Sequence, residues 1–120
     1  DDSLTTRQTL TLTLKKAGYR VIQARDGREA LEHLQHNAAI DAVFCDVEMP
    51  RMNGFEFLHH CRQRFSPAVL PVIMLSSRSS NKHRQIAHYL GASNYLTKPY
   101  LEPELLHLLR TVLAEVAPVS

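Results

Sequence analysis

The apolar positions change rhythm several times along the chain. Leu4, Leu10, Leu12 and Leu14 lie in an opening segment that predicts a helix, with Ser3 as its N-cap and Gly18 closing it. Thr5, Thr6, Thr9, Thr11 and Thr13 weaken helix propensity there. Residues 19–24 (YRVIQA) predict a short strand. Asp26-Gly27 turns the chain, and residues 28–36 carry Ala30, Leu31 and Leu34 at helical spacing. Ala42-Val43-Phe44-Cys45 is a continuous apolar run that ends in Asp46, the pattern of a strand buried on both faces. Residues 49–53 form a loop containing Pro50, and Gly54 opens a helix to about Phe65. A second apolar run, residues 71–75 (PVIML), ends in Ser76-Ser77. The polar stretch from Arg78 to Arg84 leads into a helix, Asn81 to Leu90, that Gly91 closes. Asn94 to Thr97 is a short strand ending in Lys98-Pro99. The helix from Leu101 to Val116 carries Leu105, Leu109, Val112 and Val116 on one face, with Leu106 and Leu113 beside it.

One helix followed by four strand-helix alternations predicts an α/β fold with a parallel sheet and right-handed crossovers. Such sheets bind ligands beyond the carboxyl ends of their strands. Asp46, Ser76 and Lys98 all fall at such ends.

Composition narrows the class without naming a function. The 120 residues suit one domain, 1–120, large enough for a core. Apolar residues make up 44% and charged residues 22%, which argues against disorder, collagen and coiled coil. No run approaches the ~18 apolar residues of a membrane span, and the opening does not read as a signal peptide. Lys and Arg number 14 against 12 Asp and Glu. A formal net charge of +2 with no basic cluster gives no ground for nucleic-acid binding. Cys45 and Cys61 are too few for a disulfide scaffold, which favours a reducing, cytoplasmic setting. His59-His60 is no chelating pair, because adjacent helical residues point about 100° apart.

The opening Asp1-Asp2 adds two carboxylates to the strand-end group if a strand precedes it. Three carboxylates in one site repel, and a divalent cation relieves that repulsion. All-oxygen ligands select Mg2+ or Mn2+ over zinc. Beside that cation a carboxylate can attack phosphorus and form an aspartyl phosphate. Lys98 would offset charge on the phosphoryl oxygens, and Ser76 would donate a hydrogen bond to one of them.

These residues, in order and spacing, resemble the receiver domain of bacterial two-component response regulators, chemotaxis regulators among them. The marks are Asp1-Asp2, Asp46 followed by Met49-Pro50 and Asn53-Gly54, Ser76 after PVIML, and Lys98-Pro99 after Gly91-Ala92-Ser93-Asn94-Tyr95. The resemblance implies a flavodoxin-like, doubly wound parallel sheet of order 2-1-3-4-5. It implies Asp46 as phosphoacceptor, and Asp2, Asp46 and the Glu48 backbone carbonyl as Mg2+ ligands, with Asp1 acting through water. Ser76 takes the hydroxyl switch position, Tyr95 the aromatic switch position and Lys98 the family's lysine. The Lys98-Pro99 bond is expected cis. Implied partners are a histidine kinase or histidine phosphotransfer domain. Output runs to a partner or linked domain through the Asn81 to Leu90 helix, the Tyr95 strand and the Leu101 to Val116 helix, with no direct nucleic-acid or membrane contact. A homodimer is compatible with the same face. The pattern also resembles the receiver at the end of chemotaxis-type hybrid histidine kinases, so the parent chain can be such a kinase.

Two features depart from the family. Its first strand lies ahead of the acidic pair, so this sequence is expected to be part of a longer chain whose preceding residues supply that strand. Glu48, two residues after Asp46, and Arg78, two after Ser76, occupy positions that tune dephosphorylation, and Arg78 is expected to pair with Glu48. Two alternatives belong to other classes. Asp46-Val47-Glu48 mimics the acid pair of a Mg2+-dependent phosphatase of the haloacid-dehalogenase type, although the second acid there is normally Asp. A receiver-shaped interaction module would leave the phosphosite unused. In neither the receiver nor the interaction reading is the domain a free-standing enzyme, beyond catalysing its own phosphorylation and dephosphorylation.

Overall fold

The computed structural model describes residues 2–36, 39–48, 53–78 and 80–114, with side chains from Arg7 onward. The order is α1 (Asp2–Lys16), α2 (Gly27–His36), β1 (Val43–Asp46), α3 (Gly54–Arg62), β2 (Val72–Ser76), α4 (Asn81–Tyr89), β3 (Asn94–Thr97) and α5 (Glu102–Ala114). The three strands run parallel in the order β1-β2-β3. This is the consecutive half of the expected 2-1-3-4-5 order, and the fold is flavodoxin-like α/β.

β2 explains why the helices divide between two faces. Successive strand side chains point to opposite sides. Val72 and Met74 join Cys45, Val47, Leu34, Phe57, Leu58, Cys61 and Ala87 on the side of α2, α3 and α4. Ile73 and Leu75 join Leu14, Leu96, Leu105, Leu109 and Val112 on the side of α1 and α5. Every β2 residue is buried, as the unbroken apolar run requires.

Local signals set the helix starts. Asn53 and Glu56 form a reciprocal capping box at α3: the Glu56 N–H donates to Asn53 Oδ1 at 3.0 Å, and the Asn53 N–H donates to Glu56 Oε1 at 3.1 Å. Asp26 Oδ1 accepts from the Glu29 N–H at 2.9 Å, so the predicted turn residue also caps α2. Ser80 caps α4 through the His83 N–H. Gly18 closes α1 at φ 97°, a left-handed position that suits glycine.

Three expectations change. Ser3 lies inside α1, which already includes Asp2, so it is not the N-cap. Residues 19–24 form no strand and join no ladder among the described residues. Tyr19 and Val21 still pack on the α1/α5 core, while Ile22 is exposed. A strand needs a hydrogen-bonding neighbour as well as a suitable sequence. A trough of about 710 Å³ lies there instead, lined by residues 19–24, residues 39–45, Leu10, Leu14 and Leu109 among others. Finally, α3 stops at Arg62 rather than about Phe65 and is capped by Gln63. Val116 lies outside the described residues. No described helix is long and apolar enough to cross a membrane.

Candidate functional site

The strand ends are level because the register is. Asp46 pairs with Leu75 across β1 and β2, and Ser76 pairs with Thr97 across β2 and β3. The Lys98 N–H donates to the Ser76 carbonyl at 2.8 Å, which carries the ladder one residue past β3. Asp46, Ser76 and Lys98 therefore meet at one rim, as the sequence predicts.

Lys98 reaches across β2 to Asp46. Its Nζ donates to Asp46 Oδ2 at 2.7 Å, and both side chains are about four-fifths buried. The other oxygen, Asp46 Oδ1, accepts from the Glu48 N–H at 3.0 Å. The carboxylate is thus oriented at both oxygens. The Lys98-Pro99 peptide is cis, as expected.

Ser76 is fully buried and faces Glu48. Its Oγ donates to Glu48 Oε2 at 2.7 Å and accepts from the Arg78 N–H at 2.9 Å. Glu48 Oε1 accepts from the Ser77 N–H at 3.1 Å and the Ser77 hydroxyl at 2.9 Å. Burial pushes the Glu48 carboxyl up, but these serine hydrogen bonds and the nearby Lys98 charge outweigh it and hold it below its usual value. The expected Glu48–Arg78 pair does not form among the described residues, because the nearer serine donors take both carboxylate oxygens. Arg78 enters through its main chain instead.

Tyr95 stands on the β3 face turned toward α4. Its hydroxyl donates to the Arg78 carbonyl at 2.6 Å, and the Arg84 guanidinium lies 5.0 Å above its ring. Arg84 also donates to Thr97 Oγ1 at 2.7 Å. Asp1 lies outside the described residues, and of Asp2 only its place at the start of α1 is described. No cluster of three or more His, Cys, Asp or Glu side chains suited to a metal occurs among the described residues. His59 and His60 are exposed, with rings edge to face.

Sequence reasoning missed the serine clamp on Glu48, since the partners are 28 residues apart. It also missed Gly54. A Cβ there would meet Asp46 and Val47 backbone atoms, Val47 Cα at 2.7 Å, so only glycine lets α3 begin directly behind Asp46. The Asn53-Gly54 pair was visible, but its steric reason was not.

A family profile described as the response regulator receiver domain matches residues 1–110. The chain belongs to the response regulator receiver family. As a receiver it is a phosphoacceptor of two-component signalling. It is 40% identical over 119 residues to the response regulator MprA of Mycobacterium sp. (strain KMS), covering 98% of this chain and 50% of that protein. It therefore spans about half the length of the MprA regulators it matches. It is 34% identical over 120 residues to the protein PilG of Pseudomonas aeruginosa, covering 100% of this chain and 88% of PilG. Among solved structures, the Vibrio cholerae chemotaxis protein CheY4 superposes with a TM-score of 0.84 at 40% identity, over 93% of this chain and 92% of that one. The receiver domain of a signal transduction histidine kinase from Syntrophus aciditrophicus gives 0.84 at 28% identity, over 100% and 90%.

Proposed function

We propose that Asp46 is the phosphoacceptor of this receiver. The observation that carries this reading is the Lys98 Nζ held 2.7 Å from Asp46 Oδ2 at the rim where Ser76 also ends. An Asp46 oxygen forms the new bond to phosphorus as the bond to the donor breaks. The donor is the imidazole nitrogen of a phosphohistidine, on a histidine kinase or phosphotransfer domain, and it leaves with the electron pair. Lys98 offsets the charge on the transferring oxygens, and Ser76 and Tyr95 respond to the product.

The donor set fits a hard divalent cation, Mg2+ or Mn2+, because every candidate ligand is an oxygen. Asp46, the Glu48 carbonyl and Asp2 would hold it, with Asp1 through water. Bound there, the cation would neutralise charge on the phosphoryl group. Glu48 and Arg78 tune phosphoryl lifetime, Arg78 through its main chain.

Output passes through α4, β3 and α5 to a partner or linked domain, and the same face suits a homodimer. The name of the chemotaxis protein CheY4 supports a chemotaxis-type role, and the Syntrophus receiver supports placement within a hybrid kinase. Free Cys45 and Cys61 support a cytoplasmic setting. The trough beside β1 suits a further strand, and its largely apolar walls support this.

Intact mass after acetyl phosphate and Mg2+ tests the acceptor. The parent gains one phosphoryl mass, and the gain disappears in Asp46→Asn. No gain in a folded parent, or a gain retained in Asp46→Asn, overturns the assignment. Continued turnover of phosphate esters would instead favour the phosphatase reading.

A further inference from the structure

A serine hydroxyl has one proton to give. In Ser76 that proton goes to Glu48 Oε2 at 2.7 Å. While it does, it cannot go to a phosphoryl oxygen on Asp46. The same Glu48 carboxylate takes both the main-chain and side-chain donors of Ser77 on its other oxygen, at 3.1 and 2.9 Å. One side chain therefore gathers three donors from the two residues where the chain leaves β2. The next residue is bound in as well: the Arg78 N–H donates to Ser76 Oγ at 2.9 Å, and the Arg78 carbonyl accepts from the Tyr95 hydroxyl at 2.6 Å.

We propose that Glu48 is a positioning residue that clamps the β2 exit in the unphosphorylated state, and that phosphorylation acts by opening this clamp. The proposal rests on the phosphoacceptor reading above. Two effects push the same way. A phosphoryl group puts ~1.5–2 negative charges where the Asp46 carboxylate carried one, two residues from Glu48 and on a segment tied back to Asp46 by the Glu48 N–H. It also presents new acceptor oxygens that compete for the Ser76 proton. When Ser76 turns away, Arg78 loses the acceptor for its N–H. The Arg78 carbonyl that holds Tyr95 is then free to move. The coupling to Tyr95 thus runs along the main chain of residues 76–78 and starts at Glu48.

Amide hydrogen exchange, without phosphoryl donor or divalent cation, tests the clamp directly. In Glu48→Ala the Ser77 and Arg78 amides exchange at least 10-fold faster, while the core amides of Ile73 and Met74 keep their rates. Glu48→Gln, which keeps the shape and one acceptor oxygen, falls between; it decides the matter if Ile73 and Met74 show that the alanine variant is unfolded. Phosphoryl uptake from acetyl phosphate becomes several-fold faster in the Glu48 variants, and this gain vanishes in a Ser76→Ala background. General structural damage would slow uptake instead. Unchanged Ser77 and Arg78 exchange over an intact core, or uptake that is unchanged or slower in a folded variant, overturns the clamp. If the parent takes up no phosphoryl group, the phosphoacceptor reading fails, and the exchange rates still judge the clamp separately.

Discussion

Gly54→Ala is the substitution whose effect the geometry constrains most tightly. The added Cβ would lie 2.7 Å from Val47 Cα and 3.0 Å from the Asp46 carbonyl carbon, with the Asp46 carbonyl oxygen nearer still. Ordinary carbon contacts lie at about 3.5–4.0 Å, so something must move by about 1 Å. All three obstacles are backbone, and no side chain can swing aside. Overpacking of this kind costs about 1–3 kcal/mol. Displacing α3 also weakens the bond from the Gly54 N–H to the Val47 carbonyl, 3.0 Å in the parent and worth ~1 kcal/mol. Alanine returns about 0.5–1 kcal/mol through helix propensity. Steric cost wins, and the net loss is about 1–3 kcal/mol. Urea unfolding of the parent and Gly54→Ala measures it through the midpoint at constant m. Because the displaced atoms belong to residues 46–47, phosphoryl uptake falls in the same variant. A midpoint equal to or above the parent's would refute the reasoning, since it would mean that α3 retreats from Asp46 at no cost.

Two further outcomes follow from buried groups. Arg62 donates to the carbonyls of Gly91 at 2.8 Å, Leu70 at 2.7 Å and Phe65 at 3.2 Å, joining the α3–β2 and α4–β3 loops. Arg62→Met keeps the stem but strands those carbonyls, and is expected to cost about 2–4 kcal/mol in thermal or urea unfolding; a loss under ~0.5 kcal/mol would show that water replaces the guanidinium freely. Burial pushes the thiols of Cys45 and Cys61 up, with the Asp46 charge adding to the effect at Cys45 and the Arg62 charge opposing it at Cys61. Both are therefore protonated at pH 8 and should resist a thiol reagent in the native protein while reacting on denaturation; rapid native labelling would place them at the surface.

Much of the sheet was legible because its signals are local. The run PVIML is continuous because β2 is covered on both faces, and Asp46, Ser76 and Lys98 fall at strand ends by simple counting. The same counting fails at residues 19–24, where Ile22 and Gln23 are both exposed and no neighbour completes a ladder among the described residues. Pairing is a property of two segments, and one segment's pattern cannot supply it. The Glu48 clamp was hidden for a related reason. Spacing singles out Glu48 beside Asp46, and charge points to Arg78 as its partner. The fold brings Ser76 and Ser77 nearer, and only the parallel register of β1 and β2 reveals that. The capping box of Asn53 and Glu56, by contrast, is a local N-x-x-E pattern that could have been read directly from the sequence.

Among the described residues, β1 uses one edge for β2 and presents the other to the trough. A strand edge bearing unpaired N–H and C=O groups beside apolar walls is a template for self-association. Whatever occupies the trough therefore does more than complete a sheet. It guards against aggregation, and yield and monodispersity become a readout of whether that edge is covered, independent of any signalling assay.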